Sequence, residues 1–113
     1  PYRDNYFLDD AKVIRQKVKL PLIYVGGAVS RASIDEVLAA GFEGVAMARA
    51  LIADPAFVRK LADDERAAST CDHCNYCAAR IYTTKMACYQ RQTPEPELQA
   101  ICNKRGLYVR SPS

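Results

Sequence analysis

The stretch Pro21 to Arg49, PLIYVGGAVSRASIDEVLAAGFEGVAMAR, decides the fold, and it reads strand, glycine turn, helix, strand. Leu22 to Val25 is a short apolar run led in by a proline. That suits a parallel strand covered on both faces. Gly26 and Gly27 follow at its carboxyl end, where glycine permits a tight turn or the close approach of a ligand. Ser30 is placed to cap the next helix, whose Ile34, Val37 and Leu38 share one face at helical spacing. Gly41 stands where a helix ends. Gly44 to Ala48, GVAMA, is a second buried-strand run, and Arg49 closes it.

A right-handed crossover makes the two strands parallel, with their carboxyl ends on one side of the sheet. As neighbours about 4.8 Å apart, they bring the Gly26-Gly27 turn beside Ala48 and Arg49. Backbone N–H groups of the turn, the positive end of the helix after Ser30 and one guanidinium then converge. Such a site suits a phosphate monoester, which Arg49 can grip with two parallel hydrogen bonds. Taken singly, Gly-Gly is an ordinary turn and an arginine an ordinary solvated strand end. Their coincidence at matching strand ends favours phosphate, since carboxyl ends of parallel strands are where α/β folds bind ligands.

Upstream, Pro1 to Phe7 has no period and reads as a loop or a cut end. Leu8, Ala11, Ile14 and Val18 recur at three and four residues, with Asp9 and Asp10 first and lysines last, an order that complements a helix dipole. Downstream, Asp54-Pro55 is a helix start, followed by Val58, Leu61 and Ala62 on its apolar side. Thr93 to Glu97 reads as a linker, and Leu98, Ile101 and Cys102 as a short helix ending near Gly106.

A length of 113 residues bounds the chain to one domain with a modest core. The net charge of +3 is small and its basic residues are scattered, so no nucleic-acid stripe is present. No apolar run approaches a membrane span and no signal peptide opens the chain, which makes a soluble, cytoplasmic protein the expectation. Four of the five cysteines fall between positions 71 and 88. Cys71, Cys74 and Cys77 stand at intervals of three, with Cys88 beyond them. Thiolates so close repel each other until a metal binds, and four of them suit an iron–sulfur cubane or tetrahedral zinc. The competing reading is reduced thiols packed under a loop. In either reading His73 is a surface residue of the loop, a substitute ligand if one cysteine points away, and Cys102 is an apolar residue of a helix.

The run VGGAVSRASIDEVLAAGFEGVAMARALIADP resembles the last two strand–helix units of the old yellow enzyme family, which are (β/α)8 barrels binding FMN. The continuation CDHCNYC…MAC is similar to the branch of 2,4-dienoyl-CoA reductase and trimethylamine dehydrogenase, where four cysteines after the barrel hold a [4Fe–4S] cluster. The resemblance runs from about Leu8 to Cys88. It implies an α/β fold, the end of a TIM barrel over residues 1–66 and a cysteine-rich metal segment over 67–92; beyond it the residues themselves read as a linker with a short helix over 93–113. It implies that Gly26, Gly27, Ala48 and Arg49 hold the FMN phosphate, Ala48 keeping the N–H of the glycine common there. It implies that Cys71, Cys74, Cys77 and Cys88 are the cluster ligands.

The resemblance further implies an NAD(P)H-dependent oxidoreductase acting on an unsaturated or amine substrate. Its substrate and flavin-ring contacts lie in earlier strands, so it assigns no catalytic residue here and the chain alone is expected to be inactive. A two-strand piece leaves edges uncovered, and another copy or the rest of a barrel would cover them. The competing functions are a stand-alone phosphate-binding module and a structural zinc domain.

Overall fold

The computed structural model describes residues 3–81 and 84–90, with Pro96, Ala100 and Lys104. Within the described residues the chain forms α1 (Leu8–Lys17), β1 (Ile23–Val25), α2 (Arg31–Ala39), β2 (Gly44–Ala46), α3 (Arg49–Ala53), α4 (Phe57–Asp63) and α5 (Tyr76–Ala79). It divides into two compact units, Pro1–Thr70 and Cys71–Ser113.

In the first unit β1 and β2 pair in parallel, with Ile23 opposite Gly44, Tyr24 opposite Val45 and Val25 opposite Ala46. The crossover between them is α2. Ser30 caps that helix, its hydroxyl accepting the N–H of Ser33. Ser33 returns the favour, its Oγ accepting the N–H of Ser30 at 2.9 Å and of Val29 at 3.0 Å. Serine thus stands where a glutamate usually completes a capping box. Gly41 takes a φ of +98° just past the helix, the left-handed conformation that stops helices cheaply with glycine.

Two small cores flank α2. Val37 joins Leu8, Tyr24 and Phe42 in one. Ile34 packs against the other, made of Ala50, Phe57 and Leu61. Val37 and Phe57 are fully enclosed, each burial stabilising by about 1.5–3 kcal/mol. Residues 67–69, expected with the cysteine segment, are tied to this unit: Ala68 bridges Ser30, and the Ser69 N–H donates to the Val29 carbonyl.

Several expectations need correction. The strand at Leu22 to Val25 is not covered on both faces. Only Tyr24 is buried, whereas Ile23 and Val25 are 63% and 61% exposed. The second strand stops at Ala46 and is half-buried to exposed, and Arg49 opens a short helix instead of closing a strand. In α1 only Leu8 is buried, and Ile14 faces solvent. Leu38 and Val58 are exposed as well, and the apolar anchor of α4 is Phe57. Asp54 does not cap α4 directly: its carboxylate accepts the N–H of Ala56, itself the cap residue.

The second unit is built around Cys74, Tyr76 and Ala79, with Tyr89 against them. The expected loop contains a helical turn, α5, opened by Asn75 in the left-handed conformation at φ 63°. His73, expected at the surface, is buried. Arg80 is buried too and lies over the Tyr89 ring, 4.7 Å from its centroid. Arg80 therefore packs, as a guanidinium's apolar faces permit. Cys102 and its expected helix neighbours Leu98, Ile101 and Gly106 lie outside the described residues.

Candidate phosphate site

The register fixes the site's frame. Because Val25 is opposite Ala46, the chain leaves both strands at the same end, into Gly26-Gly27 from β1 and into Met47-Ala48-Arg49 from β2. Gly27 has φ +79° and Gly26 φ +150°, conformations that favour glycine. Ala48 precedes α3, and its carbonyl accepts the N–H groups of Leu51 and Ile52, each at 3.0 Å.

The segment before α1 straps this turn down. The Asn5 N–H donates to the Gly27 carbonyl at 3.1 Å. The Tyr24 hydroxyl donates to the Gly26 carbonyl at 2.7 Å and accepts the Phe7 N–H at 3.2 Å. Asn5 is buried, and its amide group donates to the Ser33 carbonyl at 2.8 Å and to Glu36 at 3.2 Å. Both carbonyls of the glycine turn are therefore engaged. In a planar trans peptide the N–H points opposite to its C=O. The Gly27 and Ala28 N–H groups, which share peptide units with those carbonyls, are directed away from their bonded partners. Neither has a backbone acceptor among the described residues.

Tyr6 spans the rest of the site. A Cβ built on Gly27 would lie 2.6 Å from Tyr6 Cδ1 and 2.7 Å from Cε1, so the ring rests on the glycine. At its other end the Tyr6 hydroxyl accepts an N–H of Arg49 at 3.0 Å. The structure therefore brings Gly27 and Arg49 to the two ends of one side chain. The donor chemistry fits a phosphate: a guanidinium and outward amides. The cradle on the Tyr6 side of Gly27 is taken by the ring.

Sequence reasoning missed Asn5, Tyr6 and Tyr24. The first two carry no periodic signal, and their partners lie 22 to 43 residues away along the chain. Tyr24 was hidden inside an apolar run, although a tyrosine there needs a partner for its hydroxyl. Burial raises the Tyr24 pKa, opposed by the bond from the Phe7 N–H.

In the second unit Cys74 is buried, Cys71 and Cys77 are half-buried and Cys88 is exposed. The Cys74 N–H donates to the Asp72 carboxylate at 3.1 Å, and Cys77 sits on α5. Among the described residues no three His, Cys, Asp or Glu side chains are gathered as a metal would require. Cys71, Cys74, Cys77 and Cys88 thus do not form a preassembled four-thiolate centre.

Over 83 residues the chain is 42% identical to the 4,4'-dithiodibutanoate disulfide reductase of Rhodococcus erythropolis, a stretch covering 74% of this chain and 21% of that protein. It thus spans about a fifth of the length of this relative and is similar to part of an oxidoreductase. No family model matches the sequence, and no solved structure matches it. No helix among the described residues is long and apolar enough to cross a membrane.

Proposed function

We propose that the chain is the carboxyl-terminal part of an FMN-dependent NAD(P)H oxidoreductase with a (β/α)8 barrel, and that its share of the work is to hold the FMN phosphate. The observation that carries this reading is the parallel register that leaves Gly27 and Arg49 at one end of the sheet, joined through Tyr6. The exposed apolar face of β1, with Ile23 and Val25, is what a strand–helix piece of a larger closed barrel would present. Similarity to a redox enzyme of about three and a half times this length supports the same reading.

In this proposal Arg49 offsets one of the two charges of the phosphate dianion, and the Gly27 and Ala28 N–H groups orient it. Bound there, FMN would supply two-electron transfer between nicotinamide and acceptor. The residues of this chain do no proton chemistry in that scheme. They fix one end of the cofactor so that its ring meets groups elsewhere in the polypeptide. The acceptor class is an unsaturated compound or, as the relative's name suggests, an organic disulfide. For a disulfide the balance is NAD(P)H, a proton and R–S–S–R giving NAD(P)+ and two R–SH.

The test uses the full-length polypeptide carrying these residues, loaded with FMN under anaerobic conditions. Nicotinamide oxidation coupled to two thiols per 4,4'-dithiodibutanoate, or to an activated alkene, is the expected result. A polypeptide that retains no flavin and oxidises no NAD(P)H with any of these acceptors would leave only a stand-alone binding module. Cys71, Cys74, Cys77 and Cys88 are proposed as ligands of a [4Fe–4S] cluster, or of zinc, that draws the loop together on binding. No step above passes through them.

A further inference from the structure

We propose that Tyr6 is a gate on the phosphate site, standing where the phosphate binds and leaving when it arrives. This rests on the phosphate reading of Gly27 and Arg49. The ring of Tyr6 covers the face of Gly27 at a distance that admits no further atom, and its hydroxyl takes an N–H of Arg49 at 3.0 Å. A phosphoryl oxygen bound between the two would compete for that edge of the guanidinium and need the volume that the Tyr6 ring and hydroxyl fill. The hydroxyl is a weaker acceptor for a guanidinium than a phosphate dianion, so it can hold Arg49 in place and still be displaced.

The residues on either side of the gate are anchored. Asn5 is buried and fixed by its backbone N–H to Gly27 and by its side chain to α2. Leu8 is buried in the core. Tyr6 between them is only half-buried, and Phe7 beside it is 55% exposed. The Tyr6 ring meets Phe7 edge-on at 4.5 Å, a contact at the surface. Rotation about its own side-chain bonds therefore removes Tyr6 from the site without breaking the backbone bonds that orient the glycine turn. Those bonds stay with Asn5 and Tyr24, so opening leaves the Gly27 and Ala28 N–H groups aimed as before.

Because only the open form binds, the apparent dissociation constant is the intrinsic one divided by the open fraction. Loss of the hydroxyl alone raises that fraction, and loss of the ring raises it further. The experiment titrates the 15N,13C-labelled full-length polypeptide carrying these residues with FMN, and separately with inorganic phosphate, following amide and Hα resonances by NMR. Wild type, Tyr6→Phe, Tyr6→Ala and Arg49→Ala are compared. Binding about threefold tighter in Tyr6→Phe and about tenfold tighter in Tyr6→Ala is expected. In wild type the ring-current shift of the Gly27 Hα protons should disappear at saturation. Should Tyr6→Ala not fold, the Phe variant and the Gly27 shift still decide the matter.

Equal affinity in wild type and both Tyr6 variants, with the Gly27 shift retained, would overturn the gate while leaving the phosphate site standing. Weaker binding in Tyr6→Phe would overturn it too, by making the hydroxyl a ligand. If wild type and the Tyr6 variants all fail to bind either probe, or if Arg49→Ala binds as wild type does, the phosphate site falls and the gate with it.

Discussion

At the scale of single residues, the glycine turn shows how one hydroxyl can set a site. Tyr24 is 3% exposed, packs edge-on against Phe42 at 5.6 Å, and uses its hydroxyl to join Phe7 to Gly26. Tyr24→Phe keeps the ring and removes both bonds, leaving a buried carbonyl and a partly buried N–H to find other partners. We expect a loss of about 1–3 kcal/mol at neutral pH, read from urea midpoints. Burial raises the pKa of this phenol in the fold. A raised value means that its contribution is intact below the ordinary phenol range near about 10 and is lost as pH rises through the folded value. Wild type should therefore lose stability above that range, and Tyr24→Phe should lose less of it. An alkaline limb of equal depth in both would show that Tyr24 does not titrate in this way. The place of Arg49, shortly past the carboxyl end of β2, was legible from its neighbours in sequence, although it opens α3 and does not close the strand. The place of Tyr6 was not legible, since its contact with Arg49 spans 43 residues and leaves no pattern. His73 misled for a related reason: polarity predicts exposure, but packing buried it.

At the scale of elements, local signals were read well and burial was not. The Ser30 cap, the helix over Arg31–Ala39 and the stop at Gly41 each depend on residues within one turn, so sequence determines them directly. Whether a strand face is covered depends on what packs against it, and no apolar run carries that information. Ile23 and Val25 accordingly look like core in the sequence and face solvent in the structure. The same logic explains α5, a single turn whose start is a left-handed Asn75 and whose apolar positions are too few to show a period. The capping box offers a direct test. Ser33 Oγ accepts two backbone N–H groups and donates to the Ser30 carbonyl at 2.9 Å. Ser33→Ala should cost about 1–2 kcal/mol and raise amide exchange at Val29 and Ser30. An unchanged urea midpoint would mean that water replaces the serine without loss.

At the scale of the whole molecule, each unit poses its own question. In the second, the thiols are not gathered, so a metal would have to organise the loop as it binds. Iron, zinc and acid-labile sulfide per chain, measured after anaerobic purification, decide this. Cys74→Ser should remove most of the metal, because Cys74 is the buried member of the set. Cys102→Ser should leave metal content unchanged. Zinc without sulfide would reject the cluster and keep the site; neither metal in wild type would reject both. In the first unit, the claim that matters is that Gly27 and Arg49 hold a phosphate. Arg49→Ala removes a charge-assisted contact worth about 1.5–3 kcal/mol, or roughly ten- to hundredfold in affinity. Arg49→Lys should recover only part, since an ammonium cannot reproduce the guanidinium fork. The most direct measurement is an FMN titration of the apo form of the full-length polypeptide, wild type against Arg49→Ala. Tenfold or greater weakening, with the Gly27 and Ala28 amides responding to FMN in wild type alone, is the result predicted; equal affinity in the two proteins would contradict the account.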